Sequence, residues 1–228
     1  MILATLVNRK WLLLWLSLSS VIGCESPTCS DEKFDDQSFT TETTNWNIYN
    51  SIEGLVFVDK FGKEYVYTKD RGFLNSRLYL FTEDCHTKPR KIQYNGDYAL
   101  VGFNGPDKTD IAVAFFVTFL DHETNFAMPQ IVDLMGVSIL DVTVVPNVVV
   151  SRLKHITSNR NGTLDKDAFN NSQSVSKDKI ELFGRTFLNV IEQTDFTNAP
   201  IVCNQEFGVL SFSNRHGVTL VFDRFLTK

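Results

Sequence analysis

The residues of this sequence best suited to covalent or metal chemistry are its cysteines, Cys24, Cys29, Cys85 and Cys203. They form no C-x-x-C pair, and no two histidines have zinc-ligand spacing, so we predict neither a metal site nor a cofactor. Cys85 and Cys203 lie in or beside predicted strands, and cysteines in an oxidising compartment tend to pair. We therefore expect a Cys85–Cys203 disulfide, with Cys29 left free.

The four histidines are dispersed along the chain and offer little catalytic chemistry. Cys85 and His86 are adjacent, so their side chains would point to opposite faces of a strand. Asp121-His122-Glu123 follows a predicted strand, where it is either part of an assembled hydrolytic site or, more commonly, a charged turn. The sequence has no G-x-S-x-G, H-E-x-x-H, Walker A or G-x-G-x-x-G motif. We assign no catalytic residue, and a non-enzyme is the favoured interpretation.

Residues 157–169 come close to a calcium-binding EF-hand loop but lack its main ligands. Asn159, Asn161 and Gly162 match loop positions three, five and six. The first position is Thr157 in place of aspartate, and the twelfth is Ala168 in place of the bidentate glutamate. An Asn-Gly turn in a polar loop is the better interpretation.

The first 23 residues have the pattern of a signal peptide. Arg9 and Lys10 precede the largely apolar run Trp11–Ile22. A run of about a dozen residues is too short to cross a bilayer, which takes roughly 20. The pattern predicts an exported protein.

The end of this segment, Val21-Ile22-Gly23-Cys24, resembles a bacterial lipobox. The resemblance implies that the chain is cut before Cys24, that the thiol is acylated and that the new amine is usually acylated too, since two or more chains give a lasting anchor. Ordinary cleaved secretion is the alternative. The expected location is the bacterial cell envelope, in the outer membrane, with the protein surface-exposed or periplasmic.

Residues 24–50 are polar and without periodicity, which predicts a flexible tether. Four acidic residues stand near its start: Asp31, Glu32, Asp35 and Asp36. The cluster resembles the surface-export signal of Bacteroidota lipoproteins, and a solvated spacer explains it equally well.

Residues 51–228 predict one β-rich domain, because short apolar runs rich in Val, Thr and Phe alternate with turn signals. We expect an antiparallel sandwich or two packed sheets with little helix. The predicted strands are Leu55–Val58, Glu64–Tyr67, Arg77–Thr82, Lys91–Tyr94, Tyr98–Phe103, Ile111–Leu120, Val137–Val145, Val148–Leu153, Lys179–Phe183, Thr186–Gln193, Gly208–Phe212 and Val218–Phe222. The best helix candidate is Met128–Met135, which has Pro129 near its start. His155–Lys179 is predicted to be a long polar loop.

The C-terminal stretches Gly184–Val190 and Ile201–Phe212 resemble a strand pattern found in many Bacteroidota lipoproteins of unassigned activity. Together with the lipobox, the resemblance covers under a third of the chain. It implies a β-rich envelope protein and carries no catalytic residues. Cys203 stands where that pattern usually has an aromatic residue.

The charge of the chain argues against nucleic acid as a partner. The formal net charge is −5, and removing Arg9 and Lys10 with the signal peptide makes it −7. No dense Lys/Arg stripe is present to hold a phosphate backbone. We expect a lipid-anchored binding or scaffolding protein that takes a protein or glycan partner, with His155–Lys179 as the expected binding loop. An envelope hydrolase with a site built from non-contiguous residues is the alternative.

Overall fold

The computed structural model describes residues 31–83, 90–120, 130–160, 174–193 and 200–227. Its elements in chain order are β1 (Glu32–Lys33), α1 (Thr41–Trp46), a 3-10 helix (Ile48–Ser51), β2 (Gly54–Val58), β3 (Glu64–Glu83), β4 (Arg90–Asn104), β5 (Thr109–Leu120), β6 (Gln130–Asp141), β7 (Val148–Asn159), β8 (Ser174–Leu182), β9 (Arg185–Gln193), β10 (Val202–Asn204), β11 (Gly208–Ser213) and β12 (Thr219–Leu226). No helix in these ranges is long and apolar enough to cross a membrane.

The described residues fall into two compact units. The smaller contains residues 31–33, 80–83 and 90–92, and the larger contains residues 34–79 and 93–227. In the smaller unit the backbone N–H of Lys91 donates to Asp31 Oδ1 at 2.8 Å. The core and the candidate site belong to the larger unit.

The strands form one sheet in the order β7-β6-β5-β4-β3-β2-β12-β11-β10-β9-β8, and β1 pairs with β4. Within the larger unit the sheet curls until its edge strands β7 and β8 contact each other. Buried Gln193 of β9 joins the two ends, because it donates to Arg152 O at 2.7 Å and accepts from Ser151 Oγ at 2.8 Å, both on β7. The prediction of a mainly β protein with little helix is confirmed.

One aromatic and aliphatic core fills the inner face of the sheet. On β5 the alternate residues Ile111, Val113, Phe115 and Val117 are fully buried, as expected where side chains repeat with period two. Phe57 of β2 packs edge-to-face on Tyr67 and Phe212, with ring centroids 5.4 and 5.0 Å apart. Such pairs add about 0.5–1.5 kcal/mol each beyond the burial of their area.

Residues 34–50 of the predicted tether are instead part of the fold. The backbone N–H of Phe34 donates to Gln93 O on β4 at 2.9 Å. Thr40 caps α1 by accepting from Thr43 N, and Trp46 and Tyr49 are buried in the core. Two buried aromatic residues therefore hold this segment on the fold. The mainly polar composition of the segment does not predict this.

Two other predicted elements differ from the structure. Most of the expected helix Met128–Met135 is the start of strand β6, whose residues 131–135 are all buried. An apolar run buried on both faces lacks the alternation that separates strand from helix. Both ends of the expected loop His155–Lys179 are strands in the structure, because β7 continues to Asn159 and β8 begins at Ser174.

The hairpins predicted from turn residues are confirmed. Leu55 pairs with Tyr67 across a turn in which Gly62 has a φ of 81°. Ser211 pairs with Val221 across the last turn, where Gly217 has a φ of 74°. Glycine takes this left-handed conformation without steric cost, which makes such turns readable from sequence.

Candidate binding site

A pocket of about 370 Å³ opens between α1, β9 and the turn that joins β10 to β11. Its lining is rich in side-chain amides and consists of Asn45, Leu188, Asn189, Asn204, Gln205 and Glu206. The volume lies within the range of small-ligand sites, about 300–1,000 Å³. Five of the six lining residues have polar side chains, which suits a ligand that presents hydroxyl or amide groups.

Asn204 builds the floor of this pocket and is buried. Its Nδ2 donates to Leu188 O at 3.2 Å, and its Oδ1 accepts from Phe207 N at 2.8 Å. Both ends of the amide are therefore used to join β9 to the β10–β11 turn. Asn204 is a positioning residue, since its hydrogen-bonding groups already have partners within the protein.

The turn above Asn204 is fixed by Tyr49, which lies underneath it. Gly208 has a φ of 72°, and a Cβ added there would stand 1.9 Å from the Tyr49 hydroxyl. That hydroxyl accepts from Val209 N at 2.9 Å. Burial raises the pKa of the Tyr49 phenol, so the side chain stays neutral. Only glycine allows the turn to approach Tyr49 this closely.

Helix α1, which carries Asn45, is held by a buried carboxylate on β6. Asp133 is fully buried, and its Oδ2 accepts from Thr40 N, Thr40 Oγ1 and Thr43 Oγ1 at 2.9, 2.9 and 2.7 Å. Its Oδ1 accepts from Arg160 Nε at 2.9 Å. The guanidinium of Arg160 also donates to Ser38 O. These bonds fix the start of α1, and therefore Asn45, on the sheet.

Four polar side chains of the pocket are available to a ligand: Asn45, Asn189, Gln205 and Glu206. None of them hydrogen-bonds to another residue in the described ranges. Asn189 has a φ of 49°, a left-handed conformation that asparagine tolerates better than most residues. Glu206 is the one charge of the lining, which contains no basic side chain. The pocket thus offers amide donors and acceptors with a single negative charge.

No motif or spacing in the sequence marks the pocket residues as a binding site. Asn204-Gln205-Glu206 lies within the C-terminal strand pattern, a resemblance that carries no catalytic residues. Asn45 lies in the stretch predicted to be a tether. Asparagine and glutamine carry no catalytic spacing rule, so only the topology shows that they meet.

Of the predicted site residues, only Cys203 is among the described residues. It is buried on β10 and forms no disulfide with another described residue. Cys24, the expected lipidation site, and Cys85, the expected disulfide partner, lie outside the described ranges, as does His122. Both the lipidation and the disulfide stay predictions.

We expect Cys203 to resist alkylation by N-ethylmaleimide in the folded protein. Burial raises the pKa of its thiol, and the thiolate is the reactive form. Peptide mapping after labelling with and without urea measures this, and labelling of Cys203 in the folded protein would contradict it. Labelling in urea without reductant would rule out the Cys85–Cys203 disulfide, whereas labelling only after reduction would establish it.

The described residues offer little to a metal or to calcium. They contain no group of three or more His, Cys, Asp or Glu side chains placed to hold a metal ion. Thr157, the first position of the near-miss calcium loop, is buried in β7, where its hydroxyl pairs with Thr43 Oγ1 at 2.7 Å. It therefore serves the packing of α1.

Comparisons with known proteins identify no relative of this chain. No protein-family model matches the chain, and neither the curated proteins nor the solved structures include a significant match.

Proposed function

We propose that this chain is a lipid-anchored protein of the bacterial envelope that binds a glycan in the pocket between α1, β9 and the β10–β11 turn. The observation that carries the proposal is the group of four polar side chains without internal partners. They are held on a frame in which Asn204, Tyr49 and Asp133 form hydrogen bonds within the protein. Carboxamides donate and accept at once, as sugar hydroxyls do. Lipid anchoring at Cys24 and membership of the Bacteroidota-type lipoproteins belong to the same proposal and rest on the sequence.

The pocket supports binding better than hydrolysis. Glycoside hydrolysis requires two carboxyl groups flanking the scissile bond, about 5–10 Å apart. Glu206 is the one carboxylate in the lining, and no histidine or cysteine accompanies it. A neutral sugar also avoids the repulsion that Glu206 would exert on an anion.

The proposal includes a sandwich-like packing of the sheet. One continuous core contains side chains from β2–β7 and from β9–β12. Two layers facing across a shared core would bury both inner faces in this way. This packing supports the pocket by making its floor part of the core.

We expect the double variant Asn45→Ala/Gln205→Ala to lose on the order of tenfold in affinity for any glycan that the wild-type chain binds. Each amide removed costs roughly 0.5–1.5 kcal/mol of hydrogen bonding, and about 1.4 kcal/mol corresponds to tenfold. A glycan array of envelope and host-cell oligosaccharides identifies the ligand, and calorimetry measures the affinity.

Asn75→Ala/Asn104→Ala is the matched control, because both amides are exposed on other strands. It should bind like the wild type. Equal affinity of the pocket variant and this control would remove the pocket from the proposal, and a wild-type chain that binds no glycan but captures a peptide would replace the ligand class.

A further inference from the structure

Four turns lie together at one end of the sheet in the larger unit. They are residues 59–63, 105–108, 142–147 and 214–218, which join β2 to β3, β4 to β5, β6 to β7 and β11 to β12. In an antiparallel sheet every second connection lies at the same end. The pairing of Val58 with Val221 places the last of these turns beside the first. The four turns form the turn end of the sheet.

Hydrogen bonds join three of these turns to one another. Asn214 Nδ2 donates to Asp107 Oδ2 at 2.6 Å, which links the β11–β12 turn to the β4–β5 turn. The backbone N–H of Val142 donates to Lys108 O at 3.1 Å, which links the β6–β7 turn to the β4–β5 turn. The turn end is therefore one connected surface.

Two of the turns carry the most exposed large apolar side chains among the described residues. Val145 is 93% exposed and Phe61 is 83% exposed. Val144 and Val148, beside Val145, are 47% and 48% exposed. A turn that only reverses the chain is usually built from glycine, proline and small polar residues. Apolar side chains grouped in this way mark an interaction surface.

The exposed charges of the turn end are all basic, in a chain of net charge −5. They belong to Lys60, Lys63 and Lys108, each of which is exposed. Lys60 Nζ lies 5.0 Å from the centre of the Phe61 ring, so a positive charge stands directly beside an apolar tip. The basic and the apolar side chains therefore share the same turns.

The carboxylates of the turn end already have partners within the protein. Asp59 is buried, and its Oδ1 accepts from two backbone N–H groups of its own turn at 2.8 and 3.0 Å. Asp107 accepts from Asn214. Asp141 and Glu64, which border the turns, form ion pairs with arginines. The lysines therefore set the sign of the charge that the turn end presents to a partner.

We propose that the turn end binds a bilayer that contains anionic lipids. Phe61 and Val145 insert at the headgroup–acyl boundary, and the three lysines lie among the headgroups. Charge complementarity selects this partner, because apolar side chains surrounded by lysines combine burial in the acyl region with attraction to negative headgroups. The contact is reversible, and it depends neither on acylation of Cys24 nor on the proposed glycan site.

Binding in this way leaves the candidate pocket open to solvent. Strand β11 begins at the turn that lines the pocket and ends at the β11–β12 turn. The pocket and the turn end therefore lie at opposite ends of the sheet. A membrane held by the turn end would face away from any ligand in the pocket.

The test measures sedimentation of the full mature chain with vesicles, in a Cys24→Ser background so that no acyl chain contributes. This parent should bind vesicles of phosphatidylcholine and phosphatidylglycerol, and pure phosphatidylcholine vesicles more weakly. Phe61→Ser/Val145→Ser should lower the affinity for the mixed vesicles on the order of tenfold. The matched control Leu74→Ser/Leu78→Ser removes side chains that are 66% and 55% exposed on β3, and it should bind like the parent.

The charge is tested by Lys60→Gln/Lys63→Gln/Lys108→Gln, which should lower the affinity for the mixed vesicles on the order of a hundredfold. Phe61→Trp keeps an aromatic ring and should bind like the parent. Its emission should be quenched by brominated phosphatidylcholine above the background of Trp46, and unquenched emission in the bound protein would contradict insertion.

A parent that does not bind the mixed vesicles, or an equal loss of affinity in the Phe61/Val145 and Leu74/Leu78 variants, overturns the proposal. Sedimentation velocity without vesicles supplies a second check. If the parent self-associates as its concentration rises and Phe61→Ser/Val145→Ser does not, a second copy of the chain covers the turn end, and the membrane is not its partner.

Discussion

Cys24→Ser is expected to move the mature protein from the membrane fraction to the soluble fraction of envelope extracts. The segment ending in Val21-Ile22-Gly23-Cys24 resembles a lipobox, and serine cannot take the thioether-linked lipid. Each buried methylene of an acyl chain contributes about 0.8 kcal/mol to membrane binding. Loss of two or three acyl chains therefore removes the main attachment of the protein to the membrane.

Fractionation followed by intact-mass measurement checks this expectation. The wild-type protein should begin at an acylated Cys24, and Cys29→Ser, the matched control, should remain in the membrane fraction. An unmodified N-terminus at another residue, or a soluble wild-type protein with an intact Cys24 thiol, would replace the lipoprotein proposal with ordinary secretion.

The parts of the fold that the sequence predicts well are those in which one physical rule acts alone. The hairpins around Gly62 and Gly217 follow from turn residues between apolar runs, and both form as expected. The run Ile111–Leu120 is predicted to be a strand, and β5 covers it between β4 and β6. Val, Ile and Phe fit a pleated surface, so composition and pattern agree there.

The parts that the sequence predicts poorly depend on distant contacts. Residues 40–50 are polar, and only the packing of Trp46 and Tyr49 against the core shows why they are ordered. Strand β6 begins inside the run expected to be helical, where it pairs with β5 and β7 and residues 131–135 are buried on both faces. Local pattern cannot distinguish these outcomes, since tertiary burial decides them.

The candidate site illustrates the same limit more strongly. Asn45 and Gln205 are 160 positions apart, and they share a pocket because Tyr49 and Asp133 fix α1 and the β10–β11 turn. Among the described residues of the loop that we expected to bind, His155–Lys179, Thr157 and Arg160 contribute to this support and none lines the pocket. Sequence spacing predicts sites whose residues are close together or follow a known motif, and this pocket has neither property.

Asp133→Ala is expected to lower the free energy of unfolding by about 3–5 kcal/mol, the usual cost of removing one partner from a buried ion pair. Asp133 is fully buried and accepts from Thr40, Thr43 and Arg160. Its loss leaves a partly buried guanidinium without its counter-charge and frees the N-cap of α1. Urea unfolding followed by circular dichroism measures the change.

Glu64→Gln is the matched control, because the Glu64–Arg224 pair is half exposed on both sides and surface pairs contribute little. If Asp133→Ala lowers the free energy of unfolding as little as Glu64→Gln does, the contacts of Asp133 with Thr40, Thr43 and Arg160 do not hold α1 on the sheet.

Thr43→Val tests the same contacts with a smaller change, since it removes the hydroxyl that joins Asp133 to Thr157. Because α1 carries Asn45, Thr43→Val should weaken glycan binding in urea-free buffer, while Asn204 and the β10–β11 turn keep their own bonds. If Thr43→Val weakens glycan binding while the circular dichroism spectrum stays unchanged, the contacts of Asp133 position α1 as one wall of the pocket.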